Sequence, residues 1–123
     1  MFVIIAEIIF NAEHQLTFAD GSTEAIHSHN WTVTAALGRQ GTDENGMVFD
    51  FRILKKMLRE IVAEFKNGKI ENAEYFKKNN TSAENVARYI YDKLKPRLEP
   101  IISLEYVEVL ESPGCRARYS ALV

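Results

Sequence analysis

Cysteine is nearly absent from this sequence: its 123 residues include a single one, Cys115. One cysteine cannot form a disulfide within the chain, which agrees with a reducing environment and leads us to expect a cytoplasmic protein. The same scarcity excludes a metal site built from several thiolates. We expect Cys115 itself to be a small packing residue.

Long apolar runs and an excess of one charge are also missing. The formal net charge is −2, and no stripe of Lys and Arg is present, which argues against nucleic acid as a partner. The opening segment MFVIIA is apolar, but it lacks a basic leader and Glu7 interrupts it. We therefore expect neither a signal peptide nor a membrane-spanning segment. Without repeats or linkers, residues 1–123 are expected to form one domain.

Four segments have the composition of β-strands. Residues 2–13 and 27–38 are the first two, and Asp20-Gly21-Ser22 supplies a turn signal between them. Residues 101–111 and 115–122 are the other two. The first strand is apolar on both faces, with Ile4, Ile8 and Phe10 on one and Val3, Ile5 and Ile9 on the other.

Two helices are predicted between the strand pairs. Helical spacing begins at Ile53, after Asp50 as a possible N-cap, and is expected to end at Asn67-Gly68. A second helix is expected to begin near Thr81, which has capping-box spacing with Glu84, and to stop at Pro96. The order β-β-α-α-β-β predicts an α+β domain whose two helices cover one sheet face. Another subunit is expected to cover the apolar face that remains.

The three histidines form one pattern, in which His14 is followed by the pair His27 and His29. Side chains alternate along a strand, so His27 and His29 lie on the same face. A third imidazole from a neighbouring strand would complete three nitrogen ligands and leave one position open, as in most catalytic zinc sites. The alternative is three ordinary histidines that bind no metal.

Five segments of the chain decide between these alternatives, because they match the motifs of one family in order and spacing. The chain resembles the zinc-dependent 6-pyruvoyltetrahydropterin synthases and the related 6-carboxytetrahydropterin synthases over nearly its whole length. The matching segments are FNAEH at 10–14, IHSHNW at 26–31, GMVFDF at 46–51, NTSAEN at 80–85 and VEVLES at 107–112.

The resemblance implies both an architecture and a site. The fold would be the tunnelling fold, in which four-stranded subunits join their sheets into a barrel, usually as a hexamer made of two trimers. His14, His27 and His29 would hold zinc. Glu111 would anchor the pterin ring, because a carboxylate can accept two parallel hydrogen bonds from an amino-pyrimidinone edge.

Two departures from the family concern catalysis. Most members place a cysteine four residues before the first His of the pair, where this chain has Thr23. One branch carries a glutamate three residues before that His instead, and Glu24 occupies this place. Such a carboxylate could act as a general base; the alternative is that Glu24 is a solvated loop residue.

The second departure is the loss of the family's Asp-His pair after the first helix. The corresponding segment is FKNGKI at 65–70, which contains neither residue. Lys66 and Lys69 are the remaining candidates for a proton donor there, although a lysine must be strongly desolvated to titrate near neutral pH.

Three functions remain open on the sequence. The first is a zinc-dependent pterin lyase or synthase that acts on the side chain of a dihydropterin, either dihydroneopterin or its triphosphate. In the branch with the glutamate, the associated reaction is cleavage of dihydroneopterin to 6-hydroxymethyl-dihydropterin. The second is a catalytically impaired family member that still binds zinc and pterin. The third, a scaffold subunit, is disfavoured because all three histidines occupy the family's ligand positions.

Overall fold

The strands of the protein form one antiparallel sheet in the order in which they occur along the chain. The structure is a computed structural model that describes residues 1–65 and 68–121. The strands are β1 (Phe2–His14), β2 (His27–Arg39), β3 (Ser103–Ser112) and β4 (Cys115–Tyr119), and their order in the sheet is β1-β2-β3-β4. The predicted α+β architecture with four antiparallel strands is therefore confirmed.

Two helices lie between the strand pairs in the chain and pack on the same sheet. They are α1 (Phe51–Val62), which contacts β1, and α2 (Ala83–Leu94), which contacts β3 and β4. Three short 3₁₀ turns, at Ile70–Asn72, Glu74–Lys77 and Lys95–Arg97, complete the described secondary structure. In the described ranges no helix is long and apolar enough to cross a membrane.

The core lies between the helices and the inner face of the sheet. Its largest fully buried side chains include Trp31 and Val33 from β2, Leu54 and Leu58 from α1, and Ile90 and Leu94 from α2. The apolar residues recur at helical spacing in α1 and α2, so each helix turns one stripe toward the sheet. Burial of these side chains excludes water from the layer beneath the histidines.

The caps of the two helices differ in how well the sequence predicts them. Asp50 caps α1 as expected, and its carboxylate accepts a hydrogen bond from the Arg52 amide. Hydrogen bonds from the Arg52 guanidinium and amide hold the pKa of the Asp50 carboxyl below its usual range. The helix ends at Val62, earlier than expected. The predicted end was at Asn67-Gly68, and Asn67 lies outside the described residues.

The predicted cap of α2 at Thr81 is wrong by one residue. The N-cap is Ser82, whose hydroxyl accepts a hydrogen bond from the Asn85 amide at 3.2 Å. Thr81 is buried, and its hydroxyl donates instead to the carbonyl of Gln15, just beyond β1. The Thr81 side chain therefore makes a tertiary contact next to the end of β1, and it does not cap α2 as the local spacing predicted.

The outer face of the sheet leaves apolar side chains of β1 exposed. Val3, Ile5 and Ile9 alternate with the buried Ala6 and Ile8, and Ile9 is 69% exposed. β1 is also an edge strand, since it pairs only with β2 in the sheet. Both faces of the strand are apolar, as the sequence indicated, and the helices cover only one of them.

Candidate metal centre and adjoining cavities

The register between β1 and β2 brings the three histidines together. His14 is the direct partner of His27, and His29 lies opposite Ala12. All three rings are on the inner face, with centroids of 4.4 Å between His14 and His27 and 4.6 Å between His27 and His29. The small side chain of Ala12 leaves room beside the ring of His29.

The indole of Trp31 forms the wall of the cluster on the side of the core. Trp31 is fully buried, and its Nε1 donates to the carbonyl of Ala12 at 3.1 Å. The His14 and His29 rings meet it edge-on, at centroid distances of 4.8 and 5.9 Å. Sequence reasoning placed Trp31 in the strand but gave it no role in the site. The signal available was its spacing of two residues from His29 on the same face.

Hydrogen bonds to the backbone fix the tautomers of two histidines. Nδ1 of His14 lies 2.9 Å from the carbonyl oxygen of Thr81, and Nδ1 of His27 lies 2.9 Å from that of Ala25. A carbonyl oxygen can only accept, so each Nδ1 carries the proton and donates. In the neutral ring each Nε2 therefore presents a lone pair to the centre of the cluster, as a metal ligand must.

Glu111 reaches the same point from β3. Its Oε1 atom lies 3.1 Å from Nε2 of His14, 3.3 Å from Nε2 of His29 and 4.0 Å from Nε2 of His27. Glu111 follows Val109 by two residues, and Val109 is buried opposite Val33. The strand therefore carries the Glu111 carboxylate onto the inner face, beside the histidines.

Together these four side chains form a donor set suited to a metal ion. One ligand atom from each of His14, His27, His29 and Glu111 can be chosen so that all lie within 4.8 Å of one another. The His14 Nε2 is buried without a hydrogen-bond partner, although Glu111 is close, because the carboxylate does not lie in hydrogen-bonding geometry. An unsatisfied buried nitrogen is costly unless something else occupies its lone pair. Imidazole nitrogens and a carboxylate are ligands that zinc accepts.

Glu24 lies beside the cluster and not in it. Its Oε1 accepts a hydrogen bond from the Leu16 amide at 3.0 Å and lies 3.6 Å from Nδ1 of His27. The backbone of Glu24 is held as well, since its carbonyl accepts from the side chain of Gln15. The carboxylate is 29% exposed. The Leu16 amide therefore holds the Glu24 carboxylate beside the ring of His27.

The other candidates from the sequence fall in different places. Lys66 lies outside the described residues. The backbone of Lys69 forms an isolated parallel bridge with Glu13, next to the end of β1. Cys115 is exposed at the start of β4, so the expectation of a packing residue is wrong. Ser28 is exposed on the face opposite the histidines, as its place in the strand predicts.

Two cavities adjoin Glu111. One, of about 390 Å³, is lined by residues 28–30 and 110–113. The other, of about 520 Å³, lies between the start of α2 and β4, and its lining includes Glu84, Cys115, Arg116 and Arg118. Sequence reasoning did not single out Glu84 or these arginines as candidates for the site, because only the fold brings α2 beside β4. The Glu111 side chain therefore lies between the histidines and space that a small molecule can enter.

The chain thus combines an α+β fold, in which two helices cover one face of a four-stranded antiparallel sheet, with a cluster of three histidines and a glutamate that could hold a metal ion. The family model described as 6-pyruvoyl tetrahydropterin synthase matches residues 4–121. The chain belongs to this family.

Relatives and solved structures agree with this assignment. The 6-carboxy-5,6,7,8-tetrahydropterin synthase of a Synechocystis species is 35% identical over 123 residues, which is 97% of this chain and 93% of the relative. The structure of the 6-pyruvoyl tetrahydropterin synthase of Caenorhabditis elegans superposes with a TM-score of 0.80 at 25% identity, covering 99% of this chain and 98% of that one. The corresponding structure from Plasmodium vivax has a TM-score of 0.70 at 23% identity, covers 97% and 98% of the two chains, and shows the same fold.

Proposed function

We propose that the protein is a zinc-dependent pterin lyase or synthase that acts on the side chain of a dihydropterin. The substrate would be dihydroneopterin or its triphosphate. The observation that carries this proposal is the convergence of three Nε2 atoms on the inner face of the sheet, beside cavities of small-molecule size. Relatives that match 97% and 88% of this chain are named as a pterin synthase and a putative pterin synthase.

In this proposal His14, His27 and His29 hold the zinc. Two of the three rings already have their Nδ1 protons committed to backbone carbonyls, so their orientation does not depend on the metal. When bound, zinc would supply Lewis acidity to side-chain oxygens of the substrate. The burial of His14 and its contact with Trp31 keep this ring from turning away.

Glu24 is the proposed general base. Its carboxylate lies beside the ring of His27 and is not one of the four clustered ligands. The Leu16 amide donates to its Oε1 atom, which lies 3.6 Å from Nδ1 of His27. A glutamate can serve in this fold: the Plasmodium vivax synthase has been solved as an alanine mutant of a glutamate that is described as its catalytic residue.

Glu111 is the proposed pterin-binding residue. It lies between the histidines and both adjoining cavities, and its side chain is 25% exposed, so a flat ring can reach it. A carboxylate that accepts two bonds from the amino-pyrimidinone edge would fix the ring and direct the substituent at its 6-position toward the metal.

The assembly proposed for the protein is a homo-oligomer, most simply a hexamer formed from two trimers. Its support is the exposed apolar row of β1, together with the position of that strand at the edge of the sheet. Apolar surface and free strand edges are features that subunit contacts remove. The localisation we propose is cytoplasmic, in keeping with the single cysteine.

The test is product formation from a panel of dihydropterins. Zinc-loaded protein is incubated with 7,8-dihydroneopterin, its triphosphate and a dihydropterin without a side-chain hydroxyl, and products are separated by chromatography. We expect side-chain conversion for at least one hydroxylated substrate and none for the third compound. A His29→Ala protein serves as the control for trace contaminating enzyme. If the native protein binds pterin but converts none of these compounds, the enzyme hypothesis is rejected in favour of the alternative described next.

The alternative is a catalytically impaired protein that binds zinc and pterin. The observation that favours it is the absence of the family's cysteine and of its Asp-His pair, since position 23 is Thr and no fourth histidine exists in the sequence. Such a protein would bind the same panel of pterins without releasing products.

A further inference from the structure

We propose that Glu111 is a fourth metal ligand in the substrate-free protein and that pterin binding removes it from the metal. This inference rests on the proposed function, because it assumes that the histidine cluster holds a divalent metal and that Glu111 also binds the pterin. A metal with four protein ligands has no open coordination position for the substrate. In this proposal the binding of the pterin ring creates that position, because Glu111 leaves the metal.

The distances around Glu111 fit a tetrahedral set. For metal–nitrogen bonds of about 2.0–2.1 Å, neighbouring vertices of a tetrahedron are about 3.3–3.4 Å apart. Oε1 of Glu111 lies 3.1 Å from Nε2 of His14 and 3.3 Å from Nε2 of His29. The third distance, 4.0 Å to Nε2 of His27, is longer than the ideal edge. The carboxylate oxygen therefore lies where it could share a metal ion with the histidines.

The chemistry of the four side chains supports the same conclusion. Nε2 of His14 is fully buried and has no hydrogen-bond partner, although a carboxylate oxygen lies close to it. In the neutral imidazole that nitrogen cannot donate a hydrogen bond to Glu111, because the single ring proton is on Nδ1, where the Thr81 carbonyl accepts it. Two lone pairs facing each other repel unless a cation lies between them. A shared metal ion is the partner that suits both atoms.

Glu111 cannot bind the metal through Oε1 while both of its carboxylate oxygens accept hydrogen bonds from the pterin. A bidentate contact with the amino-pyrimidinone edge uses both carboxylate oxygens, and Oε1 is the oxygen that points into the cluster. The residue follows Leu110, where the β2–β3 pairing ends, and the register of the β3–β4 pairing shifts between Leu110 and Ser112. This position leaves its side chain free to turn from the cluster toward the adjoining cavities.

Metal affinity tests the first half of the proposal. Zn²⁺ dissociation constants are measured by competition with a chromophoric chelator for the native protein, Glu111→Gln and Glu84→Gln, all without pterin. Glu84 lines the same cavity as Glu111 but is outside the donor set, so its variant controls for the loss of one negative charge. We expect Glu111→Gln to bind zinc about 10- to 100-fold more weakly and Glu84→Gln to bind within about twofold of native. Equal constants for all three proteins would overturn the proposal.

The cobalt-substituted native protein tests the second half without any substitution. The visible spectrum of Co²⁺ reports the number and type of its ligands. Pterin with no substituent at the 6-position has no side-chain oxygens to offer the metal, and cobalt-loaded Glu111→Gln supplies the reference spectrum of the site without the Glu111 carboxylate. We expect the spectrum to move toward that of cobalt-loaded Glu111→Gln. An unchanged spectrum with pterin bound would show that Glu111 stays on the metal.

These outcomes are separable from the proposed function. If no dihydropterin is converted, the zinc constants still decide whether Glu111 is a ligand. If a dihydropterin is converted but the three proteins have equal Zn²⁺ dissociation constants, the proposed enzyme function is retained and Glu111 is rejected as a fourth ligand. Circular dichroism of the metal-free variants checks that each retains the native fold before its constant is compared.

Discussion

The imidazole of His14 and the carbonyl of Thr81 share a hydrogen bond of 2.9 Å, which ties the end of β1 to the residue before the N-cap of α2. The Thr81 hydroxyl makes a second bond to the same strand end, through the Gln15 carbonyl. A buried ring held in this way has one tautomer and one orientation. The start of α2 therefore positions one of the proposed metal ligands, and the histidine cluster depends on both layers of the fold.

The metal content of the purified protein should be about one zinc per chain, and changing His29 to Ala should empty the site. The loss of one of three imidazoles removes a ligand that no other described histidine can replace. Metal analysis after dialysis makes the measurement. Asn30→Ala is the matched control, because Asn30 is the next residue of β2 and lies on the opposite face. Full occupancy in His29→Ala would remove these histidines from the metal site.

The native protein should be a trimer or hexamer in dilute solution, and Ile9→Glu should shift it toward smaller species. Ile9 lies in the exposed apolar row of the edge strand β1, where a buried carboxylate without a partner would be costly. Light scattering coupled to size-exclusion chromatography measures the mass. Ile101→Glu is the control, since Ile101 is similarly exposed but outside β1. A native monomer would contradict the proposed assembly.

Pterin binding at saturating zinc should weaken by roughly 2–3 kcal/mol in Glu111→Gln, the scale of losing charge-assisted hydrogen bonds. The amide keeps the shape of the carboxylate but cannot accept two bonds from the ring edge. Titration calorimetry with a non-reactive pterin gives the affinity, and zinc analysis of the same samples excludes metal loss as the cause. If the affinity does not change, the ring anchor must be another residue, and Glu84 is the other carboxylate of the larger cavity.

Turnover, where it is found, should fall by about a factor of 10² to 10⁴ in Glu24→Gln, as expected for removal of a general base. The glutamine can keep the contact with the Leu16 amide, so the loop should hold its shape. Side-chain cleavage of dihydroneopterin is measured for both proteins with zinc occupancy checked in each. Equal rates would exclude Glu24 from the mechanism.

The free energy of unfolding should fall by about 1 kcal/mol in Ser82→Ala, because the Asn85 amide at the start of α2 then loses its side-chain acceptor. Urea unfolding of the metal-free protein measures the change. Thr42→Ala, in an exposed loop, is the control. A loss that appears only in the metal-loaded protein would mean that the residue acts on the site and not as a cap.

The sequence predicted most of the fold, because its strands and helices bury residues at regular spacing. The apolar alternation of β1 and the helical spacing after Ile53 are local signals that the structure retains. The short 3₁₀ turns between Ile70 and Lys77 were not predicted, since they follow no apolar period. The N-cap of α2 was assigned one residue too early, because Thr81 and Ser82 are equally good caps until the contact with Gln15 is known.

The site was only partly predictable, because some of its contacts depend on tertiary structure that local patterns do not report. His27 and His29 share a face by strand geometry alone, and the approach of His14 follows from the pairing of two neighbouring strands. The contact of Glu111 with the histidines depends on the register between β2 and β3, which joins residues far apart in the chain. No local pattern reports that register, so the sequence could not place the Glu111 carboxylate at the cluster.

Glu7 affects how the exposed apolar row of β1 can pair with other chains. It is the one charged residue among Val3, Ile5, Glu7 and Ile9, and it is exposed like its neighbours. A flat, apolar edge strand is a template for uncontrolled pairing between chains before correct partners meet. A carboxylate in the middle of such a row opposes stacking of identical strands, since like charges would face each other. Glu7 would thus oppose aggregation of newly made chains on the same surface through which we propose that they assemble.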